Sequence, residues 1–347
     1  MLVVQSDSHL AHQPSEIISR GRAIPHWEIA SRADALLSAV KAGGHDIKPP
    51  VIHGLGPIEA IHEAGYLNFL KTAWERWQQL PDPTPYVHPY AQPNRRMTGL
   101  PTGIQGQAGY YMATNSAPIA EGTWRASLAS ADIALTAADA LLTGETAAYA
   151  LCRPPGHHAF SDLAGGFCYL NNIAIAAHYL TQRWQRLAIL DIDVHHGNGT
   201  QSIFYERNDV LFVSLHGDPT DYFPFFAGYA EETGSGLGAN ANLNLPLPQG
   251  TGDIDFLAAL EIAFQKIKGH APGALLISLG FDGFEADPIG CLKISTGCFG
   301  EIAHRIAGLG LPTLLVQEGG YDVPSLTPNL SSFLEGFEGR VKKFRPL

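Results

Sequence analysis

The chain has 347 residues, 45% of them hydrophobic, and a formal net charge of −11. Its 33 acidic against 22 basic residues argue against a nucleic-acid binder, which favours a basic footprint, and suit a cationic ligand drawn in from a distance. No apolar run approaches the roughly 20 residues that span a bilayer, so no membrane partner is expected. Residues 1–10 lack the basic and apolar regions of a signal peptide. Cys152, Cys168, Cys291 and Cys298 form no CxxC pair and imply no disulfide framework, so the expected compartment is the cytoplasm. Length alone would allow two domains. With no Ser/Gly linker, low-complexity run or internal repeat to divide it, one domain over residues 1–347 is expected.

In chain order, the first conspicuous segment is 81–122, with Tyr86, Tyr90, Arg95, Arg96, Tyr110 and Tyr111. Roughly forty residues is too long for a bare connection, and loops of that length are usually lids or binding loops. Glu121 at its end can meet a distal ammonium, although a solvated surface glutamate reads the same way. Periodicity then predicts a helix over 127–142, with Gly144 as its C-cap. An apolar stretch over 147–151 leads into Arg153-Pro154-Pro155-Gly156-His157-His158, where the Pro-Pro-Gly turn presents two histidines at a loop tip. Gly165-Gly166-Phe167-Cys168 follows, and two asparagines open a helix over 171–179.

Residues 187–190 read as a buried strand that runs into Asp191-Ile192-Asp193-Val194-His195-His196-Gly197. Asp193 and His195 are two apart, so an extended backbone puts them on one face. Carboxylate and imidazole are both common zinc ligands. Another strand is expected over 210–216. A helix over 255–267 carries Phe256, Leu257, Leu260, Phe264 and Ile267 as its apolar stripe. Two further apolar runs, 274–279 and 314–316, end in Gly280-Phe281-Asp282-Gly283 and in Gln317-Glu318-Gly319-Gly320-Tyr321-Asp322. Strands alternating with helices predict an α/β fold whose parallel sheet is covered on both faces. In such sheets ligands bind beyond the carboxyl ends of the strands. Parallel neighbours would therefore bring Asp282 and Tyr321 to the rim of Asp193 and His195. Three protein ligands and one open position is the pattern of a catalytic zinc. Either aspartate alone favours a plain helix cap instead. Together with the tandem histidines and the Gly-Gly-Tyr, the set points to metal-assisted hydrolysis with imidazole acid–base groups and a phenol. The carboxylate-rich set leaves Fe²⁺ open beside Zn²⁺. The basic tail at 340–345 reads as a solvated terminus.

The segments Arg-Pro-Pro-Gly-His-His, Gly-Gly-Phe-Cys, Asp-Ile-Asp-Val-His-His-Gly-Asn-Gly, Gly-Phe-Asp and Glu-Gly-Gly-Tyr resemble the motifs of the histone deacetylase superfamily, in the same order and over nearly the whole chain. A narrower likeness, to bacterial acetylpolyamine amidohydrolases, is carried by 81–122 and by Ala117-Pro118-Ile119-Ala120-Glu121-Gly122-Thr123-Trp124. The resemblance implies a three-layer α/β/α fold like that of arginase, and hydrolysis of an acetamide on a small cationic amine such as acetylputrescine, acetylcadaverine or acetylspermidine. Acetyl-lysine in proteins is the alternative substrate. A non-catalytic polyamine or acyl sensor is a third reading, disfavoured because every metal and acid–base position is intact.

Residue by residue, the resemblance makes His158 the general base and acid and His157 a charge stabiliser that orients the water. Asp191 suits an orienting partner for His157. Asn198 stands where many eukaryotic members carry a second Asp. Tyr321 is the implied donor to the developing oxyanion. Phe167, after Gly165 and Gly166, and Phe223, in Tyr222-Phe223-Pro224, resemble the aromatics that flank the family's substrate tunnel, with Phe225 and Phe226 as competing alignments. Ile289 lies where eukaryotic polyamine deacetylases place a gatekeeping Glu, a departure that leaves broad amine use open. K⁺ is implied at Asp191, Asp193, His195, Ser214 and Leu215, and a second K⁺ at Phe204, Arg207 and Val210. In the polyamine enzymes the long segment helps form a homodimer that narrows the channel.

Overall fold

The computed structural model describes residues 1–97 and 99–339; the basic tail at 340–345 lies outside them. The strands are β1 Leu2–Val4, β2 Glu16–Ser19, β3 Arg22–Pro25, β4 Asp46–Lys48, β5 Ala147–Ala150, β6 Leu187–Asp191, β7 Val210–Gly217, β8 Asn242–Leu247, β9 Ala274–Leu279 and β10 Thr313–Gln317. Among the described residues eight of them form one sheet in the order β4-β1-β5-β10-β9-β6-β7-β8, and β2 and β3 make a separate antiparallel hairpin. Every pairing in the large sheet is parallel.

The central strands are apolar throughout because both faces are covered. Side chains alternate between the two faces. Leu187, Ile189, Leu276, Leu314 and Val316 pack with the helices Thr123–Leu142 and Asn172–Leu180. Ala188, Leu190, Leu275, Ile277 and Leu315 pack with Ser31–Ala42, Asp253–His270, Thr296–Ala307 and Val323–Phe337. The result is three layers, as expected for this α/β class.

Strand register decides which loops can meet. Asp191 pairs with Ser278 on one side and Ser214 on the other, and Ser278 pairs with Val316, which pairs with Ala150. The carboxyl ends of β5, β10, β9 and β6 are thus nearly level, β7 runs on past them from Ser214 to Gly217, and the loops that leave these strands share one rim.

Three strands of the large sheet, and the β2–β3 hairpin, escaped the reading of the sequence. β1 and β4 are three residues each, too short to display a period. β8 alternates Asn and Leu, and asparagine is depleted in strands. Here Asn242 and Asn244 are buried, with their amide groups donating to Gln201 Oε1. The helix expected over 127–142 starts a turn earlier at Thr123, and the one expected over 255–267 runs from Asp253 to His270, where Ala271 ends it in the left-handed region.

Segment 81–122 is half core and half surface. It contains the helix Ile104–Tyr111, and Val87, Tyr111, Met112, Ala117 and Ile119 are buried in the apolar layer. Tyr90, Met97 and Leu100 of the same segment are exposed. Among the described residues no helix is long and apolar enough to cross a membrane.

Candidate active site

The rim is laced by backbone-to-carboxylate hydrogen bonds before any ligand is considered. Val194 N–H donates to Asp282 Oδ1 at 3.0 Å, His195 N–H to Asp193 Oδ1 at 2.9 Å, and Gly319 N–H to Asp193 Oδ2 at 2.8 Å. Asp193, His195 and Asp282, all buried, each offer one donor atom, and these lie within 4.8 Å of one another. His195 Nδ1 is 3.1 Å from Asp193 Oδ1 and 3.2 Å from Asp282 Oδ2. Bare backbone makes the approach possible. A Cβ on Gly319 would sit 2.1 Å from Asp282 Oδ2, and one on Gly280 would sit 2.3 Å from Asp193 Oδ2.

Two buried carboxylates this close repel each other. Burial first, then Asp193, pushes the Asp282 carboxyl above its usual range. Burial acts the same way on Asp193, but His157 and then His195 outweigh it and hold Asp193 low. A divalent cation between the carboxylates would relieve the repulsion, and one imidazole with two carboxylates suits zinc. The donor set fits a metal.

Glu318 Oε2 sits beneath the Pro-Pro-Gly turn and accepts from Gly156 N–H at 2.6 Å and His157 N–H at 3.1 Å. The two histidine rings stand 4.0 Å apart between centroids. His157 Nδ1 is 3.0 Å from Asp191 Oδ2, and its Nε2 is 3.8 Å from Asp193 Oδ1. Burial disfavours charge on His157, but Asp193 and then Asp191 outweigh it and push the imidazole up to about 10. His158 behaves oppositely. Burial, then the neighbouring His157 and His195, hold it well below its usual value.

Asn198 sets the His158 tautomer. Asn198 Oδ1 accepts from Gly199 N–H at 3.1 Å, so its oxygen is the atom 2.8 Å from His158 Nδ1. Nδ1 therefore carries the hydrogen, and Nε2 keeps a lone pair.

Tyr321 is anchored through its backbone, whose N–H donates to Asp287 Oδ2 at 2.6 Å. The Arg32 guanidinium lies 4.7 Å above its ring and donates to the carbonyls of Glu318 and Gly320. Burial raises the Tyr321 phenol; Arg32 opposes this, while Asp282 and Asp193 add to it. The net shift is far upward, so the hydroxyl stays protonated and able to donate.

Phe167 and Phe223 stand against Tyr321 and His158. The Phe167 ring is 5.4 Å from Tyr321, and the Phe223 ring is 5.0 Å from His158. Phe225 and Phe226 are exposed, so Phe223 is the member of that run set against the histidines. Gly166 and Phe167 both have positive φ, and a Cβ on Gly166 would meet His158 Cδ2 at 2.2 Å. Ile289 packs in a small apolar cluster with Phe167, Tyr321 and Ile17. Segment 81–122 reaches this wall where Thr114 Oγ1 accepts from Gly166 N–H at 3.2 Å. Glu121 stands exposed ahead of the helix Thr123–Leu142 and makes none of these contacts.

Ser214 is level with Asp191, both are buried, and Leu215 follows on β7. Phe204 closes the helix Asn198–Phe204, its carbonyl accepts from Arg207 N–H at 2.9 Å, and Val210 opens β7.

Several supporting residues carried no signal in the sequence. Arg32 and Glu28 belong to no motif, yet Glu28 is buried and binds both Arg32 and Arg153, each at 2.8 Å. Glu318 lay inside Glu-Gly-Gly-Tyr without an assigned role. Asp287 lay in Asp-Pro-Ile-Gly, where aspartate before proline reads as an ordinary turn former.

The chain is similar to known proteins over nearly its whole length. Residues 26–337 match the family model described as the histone deacetylase domain. Over 347 residues the chain is 45% identical to acetylpolyamine amidohydrolase 1 of Pseudomonas aeruginosa, covering 99% of this chain and 100% of that protein. It is 43% identical to the acetylpolyamine amidohydrolase of Mycoplana ramosa, covering 98% and 100%. The crystal structure of acetylpolyamine aminohydrolase from Burkholderia pseudomallei superposes with a TM-score of 0.95 at 45% identity, covering 97% of this chain and 98% of that one. The chain belongs to the histone deacetylase family.

Proposed function

We propose that this protein is a zinc-dependent amidohydrolase that removes acetyl groups from acetylated diamines and polyamines, acetylputrescine, acetylcadaverine and acetylspermidine among them. The observation that carries this reading is the convergence of Asp193, His195 and Asp282 with the tandem histidines on one buried rim. Full-length similarity to acetylpolyamine amidohydrolases supports the substrate class. When bound at these three residues, Zn²⁺ supplies Lewis acidity and lowers the pKa of water to about 7; Fe²⁺ is an alternative occupant.

His158 Nε2, with its free lone pair, takes the proton of the attacking water and returns it to the departing amine. His157, held by Asp191, carries positive charge beside the developing negative charge and orients the water. Tyr321 donates to the oxyanion. Phe167 and Phe223 sandwich the methylene chain, and Ile289 adds apolar wall on the side of Phe167. Glu121 meets a distal ammonium only if the far end of the substrate reaches the surface.

K⁺ sites at Asp191, Asp193, His195, Ser214 and Leu215, and at Phe204, Arg207 and Val210, are part of the same reading. The first is supported by the level, buried placement of Asp191 and Ser214. We read the chain as one domain with 81–122 as a long insertion. The exposed Tyr90, Met97 and Leu100 on that insertion support a homodimer. Met97→Asp should then shift the protein from dimer to monomer in sedimentation, and a wild type that sediments as a monomer would contradict it. Four free thiols suit the cytoplasm.

Protein acetyl-lysine is the second reading, because the same acetamide chemistry serves both. Metal dependence is tested by following acetate release from acetylputrescine. Chelation should abolish turnover, and added Zn²⁺ should restore it. Turnover that survives chelation would remove the metal from the mechanism, and no turnover at all would favour a binding role.

A further inference from the structure

Tyr222 lies directly on His195. The two rings are 5.0 Å apart between centroids and 9° from parallel. The Tyr222 hydroxyl is 3.0 Å from His195 Nε2 and is also hydrogen-bonded to the Ile289 carbonyl. A carbonyl oxygen can only accept, so the single phenolic hydrogen goes to Ile289. The hydroxyl must then accept from His195, which places a hydrogen on Nε2. That leaves Nδ1, the nitrogen facing Asp193 and Asp282, as the one that can turn a lone pair to a cation.

The contact continues in the other direction. Ile289 N–H donates to Asp287 Oδ1 at 3.0 Å, and Asp287 Oδ2 accepts from Tyr321 N–H at 2.6 Å and Asp322 N–H at 3.2 Å. Gly217 at the end of β7 leaves room for Cys291 and for the flat tyrosine ring: a Cβ there would come within 2.3 Å of Cys291 Sγ and 2.9 Å of Tyr222 Cδ1.

We propose that Tyr222 is a positioning residue whose hydroxyl holds His195 in its metal-binding tautomer and ties it, through Ile289 and Asp287, to the backbone of Tyr321. The proposal rests on the reading of His195 as a metal ligand. One hydrogen-bonded belt then sets three things together: the ligand nitrogen, the apolar wall at Ile289 and the place of the phenol. Partners of ligating histidines are typically worth 10–100-fold in metal affinity.

The test is Tyr222→Phe, which keeps the ring and removes the hydroxyl. Wild-type and variant holoenzymes are equilibrated with a chromophoric zinc chelator, and the metal-free forms are melted. The variant should bind zinc about 10–100-fold more weakly, with little change in the melting of the metal-free fold. At saturating zinc its KM for acetylputrescine should rise as Ile289 loosens. Zinc affinity within threefold of wild type overturns the proposal. So does a loss of affinity matched by an equal loss of metal-free stability, which marks a purely structural role. If wild-type zinc uptake is insensitive to Asp282→Asn, the ligand assignment itself fails, and the same titration shows it.

Discussion

His158→Gln is expected to lower kcat by roughly 10²–10⁴-fold, the usual contribution of a positioned general acid–base group. That corresponds to about 2.7–5.4 kcal/mol of barrier. Three features of the fold support the expectation. Asn198 Oδ1 is committed as an acceptor by Gly199 N–H, so it receives the His158 Nδ1 hydrogen and leaves Nε2 basic. Burial and two imidazole neighbours disfavour a second proton on His158. Finally, the ring is wedged between Phe223 and the backbone of Gly166, so it has one orientation to offer. Glutamine keeps a hydrogen-bonding side chain but has no comparable base. Steady-state kinetics of zinc-loaded variant and wild type decide the matter. A loss under tenfold would move the base role to His157.

Tyr321→Phe is expected to lose about 10²–10³-fold in kcat, the usual effect of removing one oxyanion donor. KM should change far less, because the interaction strengthens only as charge develops. The phenol is suited to donating because burial beside Asp282 and Asp193 keeps it protonated. Its backbone is pinned by Asp287 and its ring is covered by Arg32, so the variant should keep the loop in place. A loss under fivefold would remove Tyr321 from the mechanism.

Much of this site was legible because it is local. Asp193 and His195 are two residues apart beyond a strand, and the period of an extended chain puts them together whatever surrounds them. Asp282 needed one further assumption, that its strand is a parallel neighbour, and the β9–β6 pairing meets it. The supporting shell depends on contacts between distant segments, which no local pattern encodes. Glu28 reaches Arg153 across 125 positions, and Arg32 reaches Gly320 across 288. Tyr222 looked like a neighbour of Phe223 and nothing more, since its contact with His195 depends on the path of the loop after β7. Segment 81–122 showed its length but not its buried half. Val87 and Ile119 pair across it as a single bridge, too little to leave a strand pattern.

The most direct test of the proposed activity is kcat/KM on the zinc-loaded protein for acetylputrescine, acetylcadaverine and acetylspermidine beside an acetyl-lysine peptide. A restricted entrance predicts a preference of ~100-fold or more for the small amines, about 2.7 kcal/mol in transition-state binding. A preference for the peptide would contradict it and place the enzyme among protein deacetylases.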